Sequence, residues 1–308
     1  MIKKYILFVL LSSIITNAVN AQSDIKLNVQ YFQPMVINPA YCGSFEGLAI
    51  SGMYSSQWTG FEGAPKTQFL TANYRLNNDK MGLGLSIYND KIGPVKETNV
   101  EGNYSYDVKL NDDLSLALGI KGGVNNFVID FNKLDIENPG EIANAQGENS
   151  QLSPVIGAGM YLYTDKLFLG LSSPNMVKTK YYDEYKTSIA TKNIYMYGDI
   201  GYLFQINYDF NITPILQYRY TANASSNVVF MTNVAWKDSL YGGINIAFNS
   251  SAGAYVGTRF LENFKFAYSY DSSLNDFSGY NGGNHTFILS YEFPTFRYHL
   301  ERRSFNRF

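Results

Sequence analysis

Cysteine, histidine and net charge are all scarce in this chain, and each scarcity excludes something. One Cys in 308 residues cannot build an internal disulfide framework, and with only 2 His it leaves few soft ligands for zinc. Lys and Arg number 24 against 26 Asp and Glu, so there is no basic excess to hold nucleic acid. Beyond the N-terminal stretch no apolar run approaches the roughly 18 residues of a spanning helix, which excludes a helical membrane protein. No phosphate-binding glycine loop is present, because the Gly pairs at 122–123, 242–243 and 282–283 fall in or beside stretches that read as strands. Aromatics, in contrast, are abundant: 26 Tyr, 21 Phe and 2 Trp contradict intrinsic disorder.

The two ends of the chain read as separate from the folded body. Lys3 and Lys4, the apolar stretch from Tyr5 to Ile15, and Val19, Asn20 and Ala21 together have the form of a secretory signal peptide over residues 1–21. The alternative, an N-terminal membrane anchor, is interrupted by Asn17 and Asn20. Residues 22–47 are too long for a simple strand entry and carry Pro34 and Pro39; they are expected as a periplasmic segment, a lumenal plug or a loosely ordered terminus. Residues 294–308 set Arg297, Arg302, Arg303 and Arg307 against Glu301, interleaved with Phe296, Tyr298, Phe305 and Phe308. Such a basic aromatic periplasmic tail suits an acidic partner or anionic head groups.

Between the ends the dominant period is two. Leu114, Leu116, Leu118 and Ile120 alternate with Ser115, Ala117, Gly119 and Lys121, and Phe264, Phe266, Tyr268 and Tyr270 alternate with Lys265, Ala267 and Ser269. Strands are expected near 48–57, 66–76, 81–91, 95–110, 114–126, 153–163, 167–173, 192–206, 210–221, 226–236, 239–248, 252–260, 264–271 and 285–293, about fourteen in all. The stretches 127–152 and 174–191 have room for a further short strand. Every second connection is short and rich in Asn or Asp, the residues that tolerate tight-turn backbone angles. The long connections all fall in the other set. That parity, with both termini on the side of the short turns, is the pattern of an outer-membrane barrel.

A soluble sandwich would alternate as well. Three features favour an all-β transmembrane antiparallel β-barrel of the bacterial outer membrane over residues 48–293. Strands of about ten residues, tilted, match an apolar band about 25 Å tall. Tyr161, Tyr163, Tyr195, Tyr197, Tyr218, Tyr220, Tyr268 and Tyr270 lie near strand ends, as interfacial girdles do. A lipid-facing sheet must also close on itself, because hydrocarbon offers no water to unpaired backbone groups. By alternation Glu101, Asp107, Asp199 and Glu292 face the lumen with Lys109, Lys121, Arg219, Arg259 and Lys265. Signs so mixed suit a cross-linked, occluded lumen better than an ion-selective channel.

Three blocks resemble a known family. They are Asn38, Pro39, Ala40, Tyr41, Cys42 and Gly43; then Gln57, Trp58, Thr59, Gly60, Phe61, Glu62, Gly63, Ala64, Pro65, Lys66 and Thr67; then Asn89, Asp90, Lys91, Ile92, Gly93 and Pro94. Together they resemble the PorP/SprF family of type IX secretion outer-membrane proteins, and the likeness runs over about residues 30 to 293. Cys42 departs from the small Ala expected there. The resemblance implies a barrel that helps export, retain or display particular large secreted proteins, gliding adhesins among them, through their C-terminal sorting domains. Its implied partners are such a secreted client, type IX secretion components and outer-membrane lipid.

Candidate partner-binding residues are Gln57, Trp58, Gly60, Phe61, Gly63, Ala64, Pro65 and Lys66, with Asn89, Asp90, Lys91, Gly93 and Pro94. Rigid aromatics on a constrained outward loop suit protein docking, and a self-packed loop or a structural turn is the plainer reading of the same residues. No cofactor, metal or catalytic residue is expected. His285, with Ser290 and Asp271 in the neighbourhood, fits a turn-stabilising histidine better than a base. A passive or hydrophobic-ligand transporter is the rival function, and a lipid-modifying enzyme a distant third.

Overall fold

The computed structural model describes residues 32–45, 47–76, 80–133, 147–181, 190–192, 194–221, 226–274 and 282–293. The expected leader at 1–21 and the basic tail at 294–308 lie outside these residues. The strands, in order, are β1 (Leu48–Ser56), β2 (Lys66–Arg75), β3 (Met81–Ile92), β4 (Val95–Lys109), β5 (Ser115–Asp130), β6 (Glu148–Tyr163), β7 (Leu167–Ser173), β8 (Thr179–Tyr181), β9 (Ala190–Lys192), β10 (Tyr195–Tyr202), β11 (Phe204–Gln205), β12 (Phe210–Thr221), β13 (Asn227–Trp236), β14 (Leu240–Ala247), β15 (Ser251–Phe260), β16 (Phe264–Ser273) and β17 (Asn284–Glu292). Each barrel strand pairs antiparallel with its sequence neighbour, β1 pairs with β17, and β10 joins β7 to β12. The sheet therefore closes as a barrel of 14 strands, with β10 and β11 sharing one stave that breaks at Leu203. β8 and β9 form a separate ribbon in the stretch that begins at 174, ending one residue beyond 191.

The short connections are built by the polar side chains that marked them. Asn111 Oδ1 accepts from the N–H groups of Asp113 and Leu114, Asn207 Oδ1 from Asp209, and Thr164 Oγ1 from Lys166 and Leu167. Lys237 and Asp238 both adopt positive φ, the two-residue turn whose twist matches a hairpin. β5 and β6 run further than expected, to Asp130 and Glu148. The Asn125–Asn126 pair resembles a turn signal, but Asn125 faces the lumen, donating to Asn99 Oδ1 at 2.9 Å and accepting from Ser153 Oγ at 3.4 Å.

Alternation sorts the side chains as a membrane requires. Ile120 is 62% exposed on the outer face, while its neighbour Lys121 is 3% exposed inside. Glu101 bonds Lys121 at 2.8 Å, and Glu292 gathers Arg259 at 3.3 Å together with Lys265, so these five lumenal charges cross-link. Lys109 is a correction: it sits at the periplasmic rim, 3.6 Å from Asp112 in the adjoining turn. The girdle assignment is also corrected in part. Tyr161 is 1% and Tyr197 6% exposed, and Tyr161 stacks on Tyr163 at 5.3 Å. These rings, with Tyr195 on the same face of its strand as Tyr197, point inward, because a strand end carries both faces and alternation decides which one meets lipid. Tyr218, Tyr220 and Tyr270 do stand exposed outside. At the periplasmic end Phe260, Phe264 and Tyr291 form the lower ring, with centroids 5.5 and 4.6 Å apart.

Candidate functional site

Residues 32–45 run through the periplasmic half of the lumen. Pro34 opens a single helical turn over Pro34–Ile37, and Asn38 then caps a 3-10 turn over Pro39–Tyr41, its Oδ1 accepting from Ala40 N–H at 3.0 Å. The same amide reaches the wall, Nδ2 donating to Met160 O on β6 at 3.1 Å. Lys121 Nζ donates to Val36 O, Ser105 Oγ to Cys42 O, and Gly43 N–H to Asn73 Oδ1 at 2.6 Å. The segment thus bonds to β2, β4, β5 and β6. At its start Phe32 meets Tyr255 on β15 edge-on at 5.1 Å.

Apolar side chains complete the fit. Val36 packs with Met53, Phe69, Tyr88, Ala267 and Ile288, whereas Met35, Ala40, Tyr41 and Cys42 pack with Ala117, Tyr161 and Phe168. Glycines on the wall make room for the segment, Gly82 and Gly119 for its backbone and Gly84 and Gly159 for its side chains. A Cβ on Gly119 would stand 2.6 Å from Ala40 Cα, one on Gly82 2.5 Å from Cys42 C, one on Gly84 2.9 Å from Cys42 Sγ, and one on Gly159 3.0 Å from Asn38 Cγ. No side chain fits where the segment crosses these strands. A lumenal plug was one expectation for residues 22–47, but its place on the wall was not read from the sequence, although glycine at lumen-facing strand positions is the signal of a close approach.

At the extracellular end the expected partner-binding residues come together. Gln57 N–H donates to Pro65 O at 2.9 Å and closes the loop, inside which Trp58 takes a left-handed φ of 46° and Phe61 N–H donates to Trp58 O at 3.1 Å. Gly93 N–H donates to Gly63 O at 2.9 Å, joining this loop to the β3–β4 hairpin, whose turn holds Gly93 and Pro94 and whose first strand ends with Asn89, Asp90 and Lys91 before Ile92. On the other side Thr59 and Gly283 bond at 3.1 Å, Gly282 N–H returns to Thr59 O at 2.9 Å, and Trp58 N–H donates to Asn284 Oδ1 at 3.2 Å. Three connections therefore share one platform. Phe61, 50% exposed, stands on it, and Gly60 and Ala64 complete the loop. The two blocks divide across the sheet, however: Asp90 turns inward and accepts from Thr67 at 2.6 Å, whereas Lys66 and Lys91 are exposed outside.

Beside the platform β6 outlasts its neighbour. β7 pairs with β6 only as far as Ala158, and the chain then bends inward across Gly157, where a Cβ would meet Pro174 O at 2.5 Å. Met176 N–H donates to Ile156 O at 2.7 Å, the last bond on that edge among the described residues. Phe131 N–H bonding Gly147 O sets the odd residues of β6 toward β5, so Ser150 and Leu152 aim their main-chain groups away from the sheet.

His285 does not form a catalytic group with Ser290 and Asp271. It faces the lipid side, its Nδ1 2.7 Å from Tyr268 Oη and its Nε2 3.3 Å from Gly282 O. Ser290 accepts from Ser51 Oγ at 2.7 Å near the periplasmic end, and Asp271 lies inside beside Ser269.

A family model described as type IX secretion system membrane protein PorP/SprF matches residues 19–291. The chain belongs to the PorP/SprF family. Among solved structures, the P. putida toluene transporter TodX aligns with a TM-score of 0.52 at 10% identity, covering 84% of this chain and 94% of that one. A TodX deltaS2S3 mutant, a monoaromatic hydrocarbon channel, gives 0.50 at 9% identity over 86% and 94%. At such identities the likeness is one of fold, and it is to outer-membrane barrels. No curated protein matches. Family and fold together make this an integral outer-membrane protein of the type IX secretion family.

Proposed function

We propose that this PorP/SprF protein is an accessory barrel that binds a large secreted client through the client's C-terminal sorting domain, and exports or anchors it at the cell surface. One observation carries the reading: the chain's own residues 32–45 occupy the lumen, while the outward loops knit into one platform. The molecule thus offers a partner a face rather than a passage. Trp58, Phe61, Gly63 and Gly93 form the centre of that face, and the β6 edge at Ser150 and Leu152 adds main-chain donors and acceptors beside it. Type IX secretion components are the expected companions. The rival, a passive or hydrophobic-ligand transporter, needs a continuous path through the lumen, which the bonded segment obstructs.

Deleting the gene and cataloguing surface and medium proteins tests the proposal. One or a few secreted proteins should be retained inside the cell, with uptake of small solutes unchanged. Altered uptake with normal secretion would refute it in favour of transport.

A further inference from the structure

We propose that Lys66, Lys91 and Lys96 form a binding site for the phosphorylated head group of an outer-leaflet glycolipid. The three stand side by side on adjacent strands: Lys66 of β2 is directly opposite Lys91 of β3, and Lys91 is directly opposite Lys96 of β4. Cross-strand neighbours have Cβ atoms about 5 Å apart and like charges so placed repel, so a row of three ammonium groups disfavours the bare fold. All three are exposed, and none has an ion pair among the described residues. The nearest carboxylates in the ladder, Asp90 and Glu97, belong to the opposite, lumenal face.

Position selects the anion. The row lies on the lipid side at the extracellular ends of the strands. One register step below it is the polar row Gln68, Asn89 and Thr98, with Thr98 Oγ1 donating to Asn89 Oδ1 at 3.0 Å. One step further down stand Leu70, Ile87 and Val100, where the apolar belt begins. Two register steps above the hydrocarbon is the depth of the head groups, so the acyl chains of a lipid seated against Leu70 and Val100 place its phosphates level with the lysines. A phosphate accepts from more than one ammonium and cancels the repulsion that the register imposes.

The test uses the full-length protein in mild detergent, with bisphosphorylated lipid A as the probe and native mass spectrometry as the readout. Binding should weaken about a hundredfold in K66Q/K91Q/K96Q, since each lysine near a charged surface contributes roughly a fivefold factor. Lys109→Gln, at the periplasmic rim, should bind as the wild type does. If the triple variant fails to fold, Lys91→Gln alone should lose about fivefold and Lys91→Arg should restore it, a rescue that a packing role would not show. Retention of lipid A by the triple variant, or equal binding of dephosphorylated lipid A by the wild type, overturns the site. Complete competition by inorganic phosphate at equal concentration would also overturn it, marking a free-anion site instead of a lipid site.

Discussion

Gly119→Ala is the sharpest test of the lumenal seat. The added methyl would fall against the backbone of Pro39 and Ala40, 2.6 Å from Ala40 Cα, and neither those atoms nor the β5 backbone belongs to a flexible side chain that can turn aside. Overpacking of this kind typically costs about 1–3 kcal/mol. Relief comes only by lifting residues 39 and 40 from the wall, which strains the neighbouring bonds from Asn38 to Met160 O, Ser105 to Cys42 O and Gly43 to Asn73. Each is worth about 1 kcal/mol net. The barrel ladder itself is untouched, because the methyl points into the lumen.

Cys42, the only cysteine, is 0% exposed within the seat and so reports on it directly. Wild-type protein in detergent should react slowly with a maleimide. If Gly119→Ala withdraws about 2 kcal/mol from the seated state, labelling should quicken about thirtyfold while the barrel stays resistant to heat in SDS. Gly102→Ala, whose methyl would meet only Gly122 O at 3.8 Å, is the matched control and should label as the wild type does. Conductance in planar bilayers should rise in the first variant and not in the second. Unchanged labelling and conductance in Gly119→Ala would refute the claim that the glycines exist to admit the segment.

Further expectations concern the wall and the platform. Glu292→Gln removes the carboxylate shared by Arg259 and Lys265, the latter 2% exposed, and should lower barrel stability by about 3 kcal/mol, read as an earlier transition in heat-modifiability gels. Phe61→Ala removes the half-exposed ring of the platform and should weaken capture of the sorting domain by about 2 kcal/mol with that transition unmoved. An unchanged affinity would take the platform out of the contact. Leu152→Pro deletes an edge-facing N–H from β6 without touching its bonds to β5, so client capture should fall while Leu152→Ala, which keeps the N–H, holds it. Equal loss in both variants would assign the contact to the side chain.

What the sequence made legible follows from which forces act locally. Alternation is a property of neighbouring residues, so the strands from Leu48 to Glu292 and their outward faces could be read directly, and Asn111 and Asn207 marked the turns because their side chains act within three residues. The inward Tyr161 and Tyr197 were misassigned through reading position along the strand while ignoring parity, although the parity was visible in Met160 and Met196 beside them. The seat was hidden for a different reason. Asn38 and Met160 are 122 residues apart, and nothing in either stretch alone specifies their meeting. Gly82, Gly119 and Gly159 are each unremarkable in a strand; only the closed barrel aligns them under one segment. A similar separation governs the platform, where Thr59 and Gly283 meet because β1 and β17 close the cylinder. The motif blocks therefore look independent in the chain but act at two places: Asn38 to Gly43 within the lumen, and the two outward blocks together at the mouth. A partner held at the mouth would lie above the segment bonded into the periplasmic half of the lumen, and several strands join the two places, among them β2 and β3, which carry Asn73 and Gly82 at one end and Lys66 and Lys91 at the other.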